Sequence, residues 1–105
     1  MNASRLIVGL SGPELTSGEK SLFREIQPAG YILFSRNLVS AEQIRRLTDS
    51  LNSISRHRPF ISIDQEGGRV WRTNEFSCAP PDAATFSKKA TSRQIAQFGN
   101  LTGQL

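Results

Sequence analysis

Two hydrophobic rhythms alternate along the first two thirds of the chain. Short apolar runs at Arg5–Leu10, Tyr31–Phe34 and Phe60–Asp64 are bounded by Gly, Pro or polar residues, which predicts three buried strands. Between them apolar residues recur every three or four positions. Leu22, Phe23 and Ile26 share one face of a predicted helix that opens at Thr16, with Glu19 at capping-box spacing, and stops at Pro28 and Gly30. Ile44, Leu47, Leu51 and Ile54 form the clearest stripe, on a second helix opened by the pair Ser40 and Gln43. Strand, helix, strand, helix, strand with short links implies parallel strands joined by right-handed crossovers, an α/β fold.

Beyond Arg72 the rhythm is lost. Thr73 to Pro81 has no clear period and is punctuated by Pro80-Pro81. Asp82 is placed to cap a short helix carrying Phe86. A last helix is expected from about Thr91, with Ile95, Phe98, Thr102 and Leu105 on one stripe. Gly99 and Gly103 weaken it by roughly 1 kcal/mol each relative to alanine.

Length and composition narrow the function classes. A chain of 105 residues is one domain with a modest core, and 37% hydrophobic with 21% charged residues describes a folded chain. The net charge of +4 is spread over single or paired basic residues without interleaved aromatics, which argues against a nucleic-acid partner. No apolar run approaches the roughly 20 residues of a membrane span, and the N-terminal residues lack the basic and long apolar regions expected of a signal peptide. One cysteine, Cys78, and one histidine, His57, argue against an internal disulfide and against a metal site, and a cytoplasmic location is expected. Cys78 has no second histidine to activate it, and His57 sits in the polar connection before the third strand, at the end away from the candidate site.

That site is the segment from Phe60 to Arg72, an apolar strand followed by two carboxylates, two glycines and two arginines. The C-terminal ends of strands are where α/β folds place ligand sites. Gly67 and Gly68 permit positive φ or close backbone approach, and Arg69 and Arg72 offer bidentate donors. Asp64 and Glu66 lie two apart, about 6–7 Å at Cα along a strand. That is within the separation glycosidase carboxylates need, but neighbours on one strand rarely straddle a sugar. Asp64 is therefore read as a ligand-binding group, and Glu66 as a structural one held by Arg69 or by backbone donors near the glycines. Arg36, on the same rim, is read first as half of an ion pair and second as a ligand contact. Trp71 is weighed as packing before sugar stacking.

The segment Ile63-Asp64-Gln65-Glu66-Gly67-Gly68-Arg69-Val70-Trp71-Arg72 closely resembles the signature of the glycoside hydrolase family 3 N-terminal domain, in its bacterial β-N-acetylhexosaminidase branch. Gly30-Tyr31-Ile32-Leu33-Phe34-Ser35-Arg36-Asn37 resembles a second block at the right distance upstream. The resemblance implies that residues 1–105 are the N-terminal part of a (β/α)8 TIM barrel about three times longer, holding about three β-α units. It implies release of terminal β-linked N-acetylglucosamine from muropeptides or chitooligosaccharides by a retaining mechanism, without cofactor or metal. Asp64 and Arg72 then bind the sugar, with Glu66, Arg69 and Arg36 in support. The catalytic nucleophile and acid/base would lie downstream, so the chain itself is expected to lack turnover and to tend to self-associate through unpaired barrel edges. Two rival readings are a self-standing small α/β module that binds a sugar or anion without catalysis, and a family 3 β-glucosidase fragment.

Overall fold

The computed structural model describes residues 3–75 and 77–104. Three parallel strands, β1 (Ile7–Gly9), β2 (Gly30–Leu33) and β3 (Phe60–Ile63), pair in sequence order, with Ile7 beside Gly30 and Gly30 beside Phe60. Helices α1 (Ser17–Ile26) and α2 (Ala41–Ile54) make the crossovers. The expected α/β order is present, with shorter strands; Arg5 belongs to a single 3-10 turn, Ala3–Arg5, that precedes β1.

Alternation along the strands decides what is buried. Val8, Tyr31, Leu33, Ile61 and Ile63 face the helices and meet Phe23 and Ile26 of α1 and Ile44, Leu47, Leu51 and Ile54 of α2. Phe23 and Tyr31 pack with ring centroids 5.3 Å apart. The other sheet face carries Ile7 and Phe60, 54% and 74% exposed. Helices thus cover one face only, and β1 and β3 are both sheet edges.

Thr16 and Glu19 form the expected capping box of α1. Leu22, predicted on the apolar face, is instead 49% exposed. One residue is a rotation of about 100°, and Phe23 takes the position over Tyr31. The helix ends before Pro28 on Gln27, which adopts a left-handed conformation (φ 48°) without being glycine. Its side-chain amide makes up for this. Nε2 donates to the carbonyls of Phe23, Arg24 and Ile54, and Oε1 accepts from the Arg56 N–H, tying the C-terminal ends of α1 and α2 together.

After β3 comes an antiparallel hairpin, β4 (Gln65–Gly67) and β5 (Val70–Trp71), turning through Gly68 and Arg69. Gly67 and Gly68 have φ of +84° and +58°. A Cβ on Gly67 would lie 2.5 Å from the Pro81 carbonyl oxygen, and the Gly68 N–H donates to the Pro80 carbonyl at 2.8 Å. The glycine pair is what lets the Pro80-Pro81 strand of chain lie against the turn. Asp82 caps α3 (Ala83–Lys89) and Thr91 caps α4 (Ser92–Thr102), as expected, and Phe86 stacks on Phe98 at 5.1 Å. No described residue of either helix is buried. Leu105, predicted on the α4 stripe, lies outside the described residues. The result is elongated, 48 × 27 × 20 Å, with a radius of gyration of 16.0 Å against about 13 Å for a compact chain of this length.

Candidate sugar-binding rim

The three parallel strands end side by side at Gly9, Leu33 and Ile63, and two buried amides fix the loops that leave them. Asn37, fully buried, donates through Nδ2 to the carbonyls of Leu10 and Gly12 and accepts the Phe34 N–H on Oδ1. Gln43 was read as a cap partner only. It is buried, donates to the carbonyls of Pro13 and Asn37, and accepts the Val39 N–H. Glu19 adds a third tie, accepting the N–H groups of Ser11 (2.8 Å) and Thr16 (2.9 Å). Partial burial opposes its ionisation, but the Ser11 and Thr16 hydrogen bonds outweigh that and hold the carboxyl below its ordinary value.

On this rim Asp64 and Arg72 meet. Arg72 Nη2 lies 3.6 Å from Asp64 Oδ2, and both side chains are partly exposed. A charge-assisted hydrogen bond would be shorter, about 2.7–2.9 Å, so the pair is in register without being closed. Arg72 Nε is buried and has no hydrogen-bond partner among the described residues. The Arg72 guanidinium also sits 5.8 Å from the centroid of the Phe34 ring, with that of Arg36 at 4.9 Å from the same ring. The arrangement presents carboxylate oxygens and guanidinium N–H groups beside an aromatic ring, a donor and acceptor set suited to a polyhydroxylated ligand.

The supporting residues fall out differently. Arg36 makes no ion pair among the described residues; its Nε donates at 2.8 Å to the Leu10 carbonyl, which it shares with Asn37 Nδ2. Glu66 and Arg69 are both exposed and do not bond to one another. The turn carries Arg69 to the hairpin tip, and the Gly68 N–H is taken by Pro80. Asp64 and Glu66 are not on one strand either. β3 ends at Ile63, and β4, which carries Glu66, belongs to a second sheet. Trp71 is buried, with Nε1 donating to Ser77 Oγ, and lines an open groove together with Pro80, Phe98 and Leu101.

Sequence reasoning passed over Phe34 and Gln65. Phe34 was counted as strand, though an aromatic residue at a strand's C-terminal end, two positions before an arginine, was a visible signal. Gln65 accepts the Arg72 N–H on Oε1 at 2.7 Å and donates from Nε2 to Thr73 Oγ1 at 2.8 Å. The hairpin was missed as well, and its one signal was the Gly67-Gly68-Arg69 between Gln-Glu and Val-Trp. His57 is exposed ahead of β3, at the far end of the sheet, and Cys78 is an exposed free thiol. Among the described residues no helix is long and apolar enough to cross a membrane, and no group of three or more His, Cys, Asp or Glu side chains is placed to hold a metal ion.

No protein-family model matches the chain. It is 47% identical to a beta-hexosaminidase of Alkalilimnicola ehrlichii over 70 residues, 67% of this chain and 20% of that protein. With the beta-hexosaminidase of Haemophilus influenzae (Rd) it shares 33% identity over 100 residues, 95% of this chain and 28% of the relative. The structure superposes on NagZ from Neisseria gonorrhoeae, solved with N-trifluoroacetyl-D-glucosamine, at a TM-score of 0.71 and 28% identity, over 84% of this chain and 27% of that one. A glycoside hydrolase family 3 β-N-acetylglucosaminidase from Paenibacillus sp. FPU-7 gives 0.68 and 31%, over 76% of this chain and 16% of that one. The chain therefore spans less than a third of the length of each of these relatives. It is like the N-terminal portion of a glycoside hydrolase family 3 β-N-acetylhexosaminidase, and its three parallel strands correspond to part of the N-terminal TIM-barrel domain of those neighbours.

Proposed function

We propose that the chain forms the opening staves of a (β/α)8 glycoside hydrolase that releases terminal β-linked N-acetylglucosamine from muropeptides or chitooligosaccharides with retention of configuration. Asp64 and Arg72 grip hydroxyls of the non-reducing sugar. The observation that carries this is their pairing at the C-terminal ends of parallel strands, in a chain 47% identical over 70 residues to a beta-hexosaminidase. The Arg72 side chain remains partly exposed beside Asp64, so its guanidinium N–H groups can donate to a sugar hydroxyl. The bare sheet face and the open edge of β3 suit further barrel strands, and the groove of about 530 Å³ on the helix side, lined by Leu33, Ile44, Ile61 and Ile63, suits a further helix.

The nucleophile and the acid/base are assigned to residues outside these 105. Asp64 is engaged by Arg72, and Glu66 stands exposed on the hairpin, so neither is placed as half of a pair flanking an anomeric carbon. A cytoplasmic setting completes the reading, supported by the lone free Cys78.

Release of 4-nitrophenol from its N-acetyl-β-D-glucosaminide tests the proposal. The 105-residue chain is expected to give none, and turnover by the purified chain would overturn the placement of the catalytic groups. In the full-length enzyme, Asp64→Ala is expected to raise KM about 10- to 100-fold, since hydrogen bonds to a charged group contribute about 1.5–3 kcal/mol. An unchanged KM would remove Asp64 from the sugar site.

A further inference from the structure

We infer that Gln65 positions Arg72, and through it the donor face of the rim. The inference rests on the reading that Arg72 contacts the sugar, and it assigns the residue that makes that contact reproducible. Arg72 follows the last residue of β5, where ladder hydrogen bonds no longer hold the backbone. Its N–H is taken by Gln65 Oε1 at 2.7 Å. The same amide donates from Nε2 to Thr73 Oγ1 at 2.8 Å, so Gln65 grips the chain on both sides of the Arg72 carbonyl. Thr73 is in turn fixed by Ser77, whose Oγ lies 2.6 Å from Thr73 Oγ1 and whose N–H donates to the Thr73 carbonyl at 2.8 Å.

The guanidinium needs this help because little else holds it. Its contacts are an open ion pair at 3.6 Å and the Phe34 ring at 5.8 Å, and its Nε is unpartnered among the described residues. Arg36, by contrast, is fastened by its own Nε to the Leu10 carbonyl. A long side chain with free donors is only as well placed as its backbone, and misplacement by about 1 Å is enough to cost binding.

The heteronuclear NOE of the Arg72 Nε–H group in the 105-residue chain tests this, with Arg36 Nε–H as internal reference. Gln65→Met, which removes both hydrogen bonds at similar volume, is expected to drop the Arg72 value to that of exposed arginines while Arg36 keeps its own. Gln65→Glu retains an acceptor for the Arg72 N–H and is expected to restore it. Thr73→Val removes one anchor only, a milder change should folding suffer, and is expected to give a smaller drop. An unchanged Arg72 signal in Gln65→Met, or an equal loss at Arg36, would overturn the inference. In the full-length enzyme Gln65→Met is expected to raise KM about tenfold with kcat little changed, and to add nothing to Arg72→Ala; additive losses would overturn it. If Arg72→Ala leaves KM unchanged, the sugar-binding reading fails, while the NOE still decides whether Gln65 positions Arg72.

Discussion

Residues 7–63 and residues 82–102 are both built from capped amphipathic pieces, yet only the first has an interior. α1 and α4 carry the same device at their starts, Thr16 with Glu19 and Thr91 with Gln94, each a reciprocal pair between side chain and backbone. Each region also has one tilted aromatic pair, Phe23 on Tyr31 at 5.3 Å and Phe86 on Phe98 at 5.1 Å. The first pair sits in a cluster with Leu10, Leu33 and Leu51; the second has no buried residue around it on α3 or α4, and Ile95 and Leu101 remain 46% and 54% exposed. Caps are settled within four residues of sequence, whereas burial needs partners from elsewhere in the fold. A helix can therefore be fully specified at its ends and still lack anything to lie on.

The largest test of that contrast is to truncate an apolar side chain in each region. Leu51 is fully buried, and Leu51→Ala is expected to cost about 2–5 kcal/mol, enough to unfold a marginal domain outright. Leu101→Ala in α4 should stay within about 0.5 kcal/mol, as exposed positions do. Urea melts followed by circular dichroism read both. Equal costs would mean that the helical pair packs as firmly as the sheet.

The same contrast explains what could be read in advance. Short apolar runs announced the three strands and a 3.6-residue period announced α2, because those elements bury apolar side chains against one another. Asp82 announced its helix by capping chemistry, and the helix from Thr91 was announced by its apolar stripe. The hairpin was missed because β5 is two residues long, too short for a period, and its evidence lay in the glycine pair between two short runs. Gln27, Asn37 and Gln43 were illegible for another reason. Their amides join segments 25 to 30 residues apart, and nothing local distinguishes them from solvated amides. Asp64 and Arg72 were found by their motif, but that Arg72 hangs from Gln65 and shares the Phe34 ring with Arg36 emerges only in three dimensions.

Glycine substitutions act at an intermediate scale, because those in the hairpin that joins the two regions and in α4 should move stability in opposite directions. At Gly67, φ of +84° and the Pro81 carbonyl 2.5 Å from a new Cβ both oppose a side chain. Gly67→Ala is expected to cost about 1–3 kcal/mol and to speed amide exchange of Gly68, whose N–H is held by Pro80. Gly99 lies inside α4 with nothing within 4 Å of its absent Cβ. Gly99→Ala should raise the helicity of α4, with a gain of up to about 1 kcal/mol for that helix and little change in the main melt. A loss on Gly99→Ala would show that α4 is not an isolated helix.

The smallest effect separates the regions by pH. Glu19 and Asp82 both have carboxyl pKa values below the ordinary range. At Glu19 burial pulls the other way and is outweighed by the Ser11 and Thr16 hydrogen bonds; at Asp82 the cause is the hydrogen bond from the Thr85 N–H and then that from the Thr85 hydroxyl. A carboxyl whose folded pKa is depressed contributes stability above its unfolded pKa, and loses that contribution as pH falls through the folded value. The sign is the same for both groups, but what each holds is different. Glu19 joins the loop after β1 to the start of α1, so its protonation should lower the midpoint of the main transition. Asp82 caps a helix with no buried residue, so its protonation should fray α3 and leave that midpoint alone. Midpoints of the wild type and Glu19→Gln are thus expected to differ near neutral pH and converge in acid, whereas wild type and Asp82→Asn should coincide throughout and differ only in amide exchange at Thr85. A midpoint difference for Asp82→Asn that disappears in acid would show that α3 is coupled to the sheet after all.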